Sequence, residues 1–341
     1  MKVFESTYQS TQTDLTIAQA QSAFRNGELS SVELVSACLE RAEEGKELNV
    51  YITLDGEGAL DAAQRVDDRR KNGQSMQPLS GIPIVIKDNI HTAGLRCTAG
   101  SPAFSDYIPS EDASTVRKLR EAGAIILGKT NMHELAFGVT GYNQSFNTGN
   151  GIGVRNPYDS SRVAGGSSSG SAAALGARMA LASLGTDTGG SMRIPSSLNG
   201  CAALRPSAGR YANDGLIPIA ESRDTVGPMA LCMSDVALLD SIITDEYELP
   251  PIAIEELRLG VPSECWQNLD EDTKELAQST LDKLKEHGIT FVPIENAGLQ
   301  VLNEPVGFSV VIHEAYECMV KYLSDYGHDM DINLRVMRLI F

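Results

Sequence analysis

Gly81-Ile-Pro-Ile-Val-Ile-Lys87 is a short apolar run that ends on a lysine. A segment with no polar face, rich in β-branched residues, has to be covered on both sides, which is the mark of a buried strand. A second such run, Ala124 to Leu127, follows a helical pattern over Ser114 to Ala122 that is punctuated by Gly123. Helix and apolar strand therefore alternate, as in an α/β sheet covered by helices.

The flanking segments fit the same plan. Leu15 to Phe24 has helical spacing and runs into Asn26-Gly27, a stop signal. Ser30-x-x-Glu33 then reads as a capping box, opening a helix that places Leu34, Cys38 and Leu39 on one face. Gln64 to Gln77 reads as a variable stretch, whereas Ser171 to Ala182, rich in Ala, predicts a tight helix between two Gly/Ser loops. Beyond Pro228 the pattern predicts a helix over 234–243 and an acidic connector over 245–256. A strand over 257–261, a helix over 272–286 and a strand over 289–293 follow. There is no internal repeat and no firm domain boundary, so one domain over 1–341 is expected. Asn333 to Phe341 stops inside a helical pattern, as a fragment would.

Charge and cysteine usage narrow the function. With 45 acidic against 28 basic side chains the net charge is -17, which repels phosphate backbones and anionic headgroups and argues against direct nucleic-acid binding. No window has the roughly 18 consecutive apolar residues of a membrane span, and the first ten residues lack an apolar signal region. A cytoplasmic location is the default expectation. Cys38, Cys97, Cys201, Cys232, Cys265 and Cys318 are scattered without a Cys-x-x-Cys pair and read as reduced, mostly buried thiols.

The chemistry concentrates in Gly185-Thr-Asp-Thr-Gly-Gly-Ser191-Met-Arg193. Consecutive glycines before a serine let several backbone N–H groups converge on one point. Acyl transfer needs such an oxyanion hole, each donor of which is worth about 2.7–4 kcal/mol. Ser191 is then the candidate nucleophile, with the amides of Thr188, Gly189, Gly190 and Ser191 as donors. Gly-Gly-Ser alone is also an ordinary turn, so the reading requires a base. His91, His133, His287, His313 and His328 form no triad motif. Lys87 is the better candidate, because desolvation at the end of an apolar strand favours its neutral amine; the alternative is a solvated surface charge. Gly165-Gly-Ser-Ser-Ser-Gly-Ser171 offers hydroxyls to relay a proton. Gly123-Ala-Ile-Ile-Leu-Gly-Lys-Thr130 formally fits a nucleotide-binding loop, but its four intervening residues are the apolar strand itself, which leaves no exposed loop amides for phosphate. His133-Glu134 reads as a helix start near the site or a substrate contact.

Together, Ile86-Lys87-Asp88-Asn89, Gly128-Lys-Thr-Asn131, the Gly/Ser loop and the Ser191 segment resemble the amidase-signature family of amide hydrolases, over roughly Ser30 to Ala230. The resemblance implies a single α/β domain with a mixed β-sheet flanked by helices on both faces. It implies a Ser, cis-Ser, Lys catalytic set at Ser191, Ser167 and Lys87, with a cis Gly166–Ser167 bond. Ser168 would help to orient the lysine, while Asp187 and Arg193 would brace the loop. Such a mechanism requires no metal or organic cofactor. Ala203 to Tyr211 and Gly215 to Ala230 look most like the branch containing indoleacetamide and mandelamide hydrolases, implying the primary amide of a small arylacetic acid as substrate. Two other readings stay open: the amidase subunit of a tRNA-dependent amidotransferase, and a non-catalytic scaffold that keeps the fold. Members of the family are usually longer, the further part completing the sheet and substrate funnel. Direct nucleic-acid and membrane partners are not expected, and a homodimer is left open.

Overall fold

The computed structural model describes residues 12–147, 153–246, 252–295 and 298–327. Contacts divide the chain into two compact units, one of residues 1–246 and 313–341 and one of residues 247–312.

The first unit is built on strands β1 (Tyr51–Leu54), β2 (Pro83–Lys87), β3 (Ile125–Thr130), β4 (Ala182–Thr186), β5 (Ala202–Ala203) and β6 (Val226–Ala230), in the order β1-β3-β2-β4-β6-β5. β2 runs parallel to β3 and β4, and the outer pairings are antiparallel, so the sheet is mixed as expected. All five residues of β2 and all of β4 are buried. Helices α1 (Ile17–Asn26), α2 (Ser31–Glu44), α3 (Gly56–Lys71), α4 (Ser114–Glu121), α5 (Ser169–Gly176), α6 (Arg193–Leu198) and α7 (Met233–Thr244) belong to this unit and flank the sheet on both faces. The Gly27 stop and the Ser30/Glu33 capping box are present as read.

The second unit pairs β7 (Arg258–Pro262) in parallel with β8 (Thr290–Ile294) and contains α8 (Glu271–Glu286) and α9 (Leu299–Val306). A last helix, α10 (Phe308–Tyr326), carries residues from His313 onward that belong to the first unit. There Ala315, Cys318, Met319 and Tyr322 are buried, and the Tyr322 hydroxyl lies 2.6 Å from His91 Nε2.

Three expectations need correction. The stretch from Gln64 is not loose: α3 runs through it to Lys71, with Asp67 buried and accepting from the Ser31 and Val32 amides at 2.9 and 3.0 Å. Its charge-rich surface hides a face whose buried residues are the small Ala59 and Ala63 and the polar Asp67, with Leu60, Ala62 and Val66 only partly covered, which blurs the apolar periodicity. The helix expected to Ala182 ends at Gly176, where an added Cβ would come within 2.9 Å of Pro157 and 3.0 Å of the Asn199 carbonyl oxygen. Arg178 then turns at φ 60°, and Ala182 already opens β4. Alanine here serves close packing on every side rather than helix propensity, which masks the central strand. Among the cysteines, Cys38, Cys97 and Cys318 are buried, Cys201 and Cys232 are half-buried and Cys265 is exposed. The Asn333–Phe341 pattern and His328 lie outside the described residues. Among those described, no helix is long and apolar enough to cross a membrane.

Candidate active site

The parallel register pairs Ile86 of β2 with Leu184 of β4, so Lys87 and Thr186 emerge at neighbouring carboxyl ends of the sheet. Ligand sites in open α/β sheets gather at such ends. The Lys87 side chain is fully buried, and its Nζ donates to Ser167 Oγ at 2.7 Å and to Thr186 Oγ1 at 2.6 Å. Burial in the sheet lowers its pKa to about 7, even though the Asp187 and Asp224 carboxylates act the other way. A strand-end lysine here is thus not a solvated surface charge.

Ser167 reaches the lysine because of the loop before α5. Gly165 has φ +79°, and a Cβ on Gly166 would meet the Gly141 amide nitrogen at 2.7 Å, so only glycine fits. The Gly166–Ser167 peptide is cis. The Ser167 carbonyl accepts from the His133 amide at 3.2 Å, and the Ser168 amide donates to the Ser191 carbonyl at 3.0 Å, which ties the three segments together. His133 sits at the start of a short turn, Glu134–Ala136, and not of a longer helix. Burial and the nearby Lys87 lower its pKa.

Ser191 is 6% exposed. Its Oγ makes no hydrogen bond among the described residues, so the Ser191–Ser167 step of the expected relay is not closed. Such contacts commonly tighten only when substrate is bound. Ser168 does not bond the lysine directly. Its hydroxyl donates to the Thr186 carbonyl at 3.0 Å and accepts from the Thr186 amide at 3.1 Å, and Thr186 in turn accepts from Lys87. Thr186 was missed in the sequence, although it lies inside the quoted motif.

Asp187 is buried beneath the Ser191 loop. It accepts from the amides of Gly190 at 2.8 Å and Met192 at 3.2 Å, from the Arg193 side chain at 3.0 Å on each oxygen, and from Arg205 at 3.1 Å. Asp187 and Arg193, the two residues that the resemblance implied as braces, are thus hydrogen-bonded to each other, and Arg205 is a further partner of Asp187 that sequence reading overlooked. Burial, the largest influence, pushes the Asp187 pKa up, but Arg193 and the Gly190 and Met192 amides outweigh it and hold the carboxyl at about 2. The Gly190 amide is thereby removed from the four expected oxyanion donors. The amides of Thr188, Gly189 and Ser191 have no acceptor among the described residues.

Asp187→Asn is expected to lower stability at neutral pH by about 2–3 kcal/mol, the scale of hydrogen bonds to a charged group. The Asp187 pKa falls from 3.8 unfolded to about 2 folded, so its contribution is complete above pH 3.8 and is lost as pH falls through 2. Chemical unfolding across that range should show a smaller acid-dependent loss in the variant, and identical slopes would refute this role.

Lys129 does not form a phosphate site. It is fully buried in β3, donates to the Ile90 carbonyl at 2.7 Å and lies 3.7 Å from Asp88. Among the described residues no group of three or more His, Cys, Asp or Glu side chains is placed to hold a metal ion.

The Amidase family profile matches residues 33–340, across both compact units. Mandelamide hydrolase of Pseudomonas putida is 43% identical over 311 residues, covering 91% of this chain and 61% of the relative. Indoleacetamide hydrolase of Rhizobium radiobacter is 36% identical over 312 residues, covering 91% and 65%. The chain thus spans less than two thirds of the length of these relatives. A crystal structure of an amidase superposes with a TM-score of 0.81 at 32% identity, covering 96% of this chain and 73% of that one. Sequence, fold and comparison agree that this chain belongs to the Amidase family.

Proposed function

We propose that the protein hydrolyses the primary amide of a small arylacetic acid, releasing ammonia through an acyl-enzyme on Ser191. The observation that carries this reading is the fully buried Lys87, held at 2.7 Å from Ser167 beside the Ser191 loop. Neutral Lys87 takes a proton from Ser167, which takes one from Ser191 as its oxygen attacks the amide carbon. The carbonyl oxygen becomes negative and is met by the free amides of Thr188, Gly189 and Ser191. The proton returns by the same path to the amide nitrogen, the C–N bond breaks and ammonia leaves. Water, losing its proton to the relay, then attacks the ester carbon and frees the acid, and Ser191 recovers its proton. Every bond made or broken is accounted for by these three side chains and water.

The substrate class rests on the likeness to mandelamide and indoleacetamide hydrolases. The test is ammonia release from phenylacetamide, mandelamide and indoleacetamide, measured beside glutamine. The arylacetamides are expected to give a kcat/KM at least tenfold above that for glutamine. Preference for glutamine would favour the amidotransferase subunit, and no ammonia from any amide by folded protein would favour a scaffold.

A further inference from the structure

The reading of Ser191 as nucleophile leaves open what aims the oxyanion donors once Gly190 is committed to Asp187. The antiparallel pairing of β4 with β6 sets Thr186 opposite Val226. It continues one step further, the Asp187 amide donating to the Thr225 carbonyl at 2.9 Å. That register brings Thr188 against Asp224, and the Thr188 hydroxyl donates to Asp224 Oδ1. The other carboxylate oxygen accepts from the Ile219 and Ala220 amides at 2.7 and 3.0 Å. Three donors on two oxygens leave this buried carboxylate one orientation, and Thr188 inherits it. Unlike Asp187, which grips the loop from Gly190 to Arg193, Asp224 grips the residue before the glycines. Gly189, with open space where a Cβ would stand, has nothing of its own to fix it.

We infer that Asp224 is a positioning residue: through the Thr188 hydroxyl it holds the Thr188–Gly189 backbone so that its N–H groups meet the oxyanion formed at Ser191. The inference rests on the proposed nucleophile. Asp224 also forms part of the wall of a cavity of about 340 Å³ with Leu216, Pro218, Tyr322 and Tyr326.

The test is the rate at which a fluorophosphonate labels Ser191 in the full chain, because the phosphonyl oxygen has to occupy the same donors. Thr188→Val and Asp224→Asn are each expected to slow labelling by about 10- to 100-fold, less than the 10²–10³ for outright loss of a donor. On an amide substrate kcat should fall while KM stays within about twofold, the pattern of an interaction made in the transition state. Thr188→Ser, which keeps the hydroxyl, should restore labelling, and the double variant Thr188→Val/Asp224→Asn should be no slower than either single one. Folded Thr188→Val that labels at the parental rate, losses that add in the double variant, or Thr188→Ser as slow as Thr188→Val would overturn the positioning role. Should Asp224→Asn not fold, the Thr188 pair decides alone. Failure of the unaltered protein to label would remove the nucleophile and the inference together, whereas normal labelling with an unaffected Thr188→Val removes the inference only.

Discussion

Ser191→Ala is expected to fold as the parent does and to lose amide hydrolysis by a factor on the order of 10⁴ or more, the loss typical of deleting a covalent nucleophile. The two halves of this result have separate physical causes. The Ser191 hydroxyl makes no hydrogen bond among the described residues, and the contact that ties this residue to its surroundings is the Ser168 amide on the Ser191 carbonyl, which alanine retains. Thermal unfolding should therefore be nearly unchanged. On the proposed path the chemistry has no substitute, because Ser167, whose Oγ accepts from Lys87 Nζ at 2.7 Å, is the relay and not the attacking group. Ammonia release and ester formation would be followed in parallel with circular dichroism. Turnover above about a hundredth of the parental rate would place the nucleophile elsewhere; the same fold with no turnover supports the assignment.

Lys87→Met is the second large effect, with kcat lowered about 10²- to 10⁴-fold, the range of a general base. On the proposed mechanism the working form is the neutral amine, and burial lowers its pKa to about 7. Activity should therefore be full on the alkaline side and fall about tenfold per pH unit below 7. The same shift makes a second, independent prediction. An unfolded Lys87 holds its proton up to its ordinary value of 10.5, whereas the folded one has lost it above 7. The unfolded state binds more protons between these values, so this group makes stability rise with pH across that window. Below about 7 both states are protonated and the full cost of burying the charge is present. In Lys87→Met that rise should disappear. A flat rate profile from mildly acidic to alkaline pH would remove Lys87 as the base, and an unaltered stability slope would show that its pKa is not depressed.

Much of the site was legible from local pattern. An apolar strand with no polar face has to be covered on both sides, which follows from residue type alone and which β2 bears out; that the lysine at its end is buried with it was one of two readings until the structure placed it. The capping box at Ser30 and the stop at Gly27 were legible for the same reason, since each is made by residues within a few positions of each other. The central strand β4 was not. Its Ala-Ser-Leu-Gly-Thr composition suits a strand only because its neighbours approach closely, and an isolated reading of Ala-rich sequence favours helix.

What the sequence by itself offered was the candidates for the proposed chemistry: a serine after two glycines, a serine-rich loop and a lysine ending an apolar strand, whose desolvation the residues alone left open. What only the tertiary structure decided was how donors and acceptors are shared among them. Gly190 faces Asp187 rather than an incoming oxygen, Ser168 holds Thr186 rather than Lys87, and Arg205 and Asp224 join the site from far along the chain. The physical reason is competition. Each hydrogen-bonding group takes the best partner within about 3 Å, and the registers of β2 on β4 and β4 on β6 set which partners are within reach.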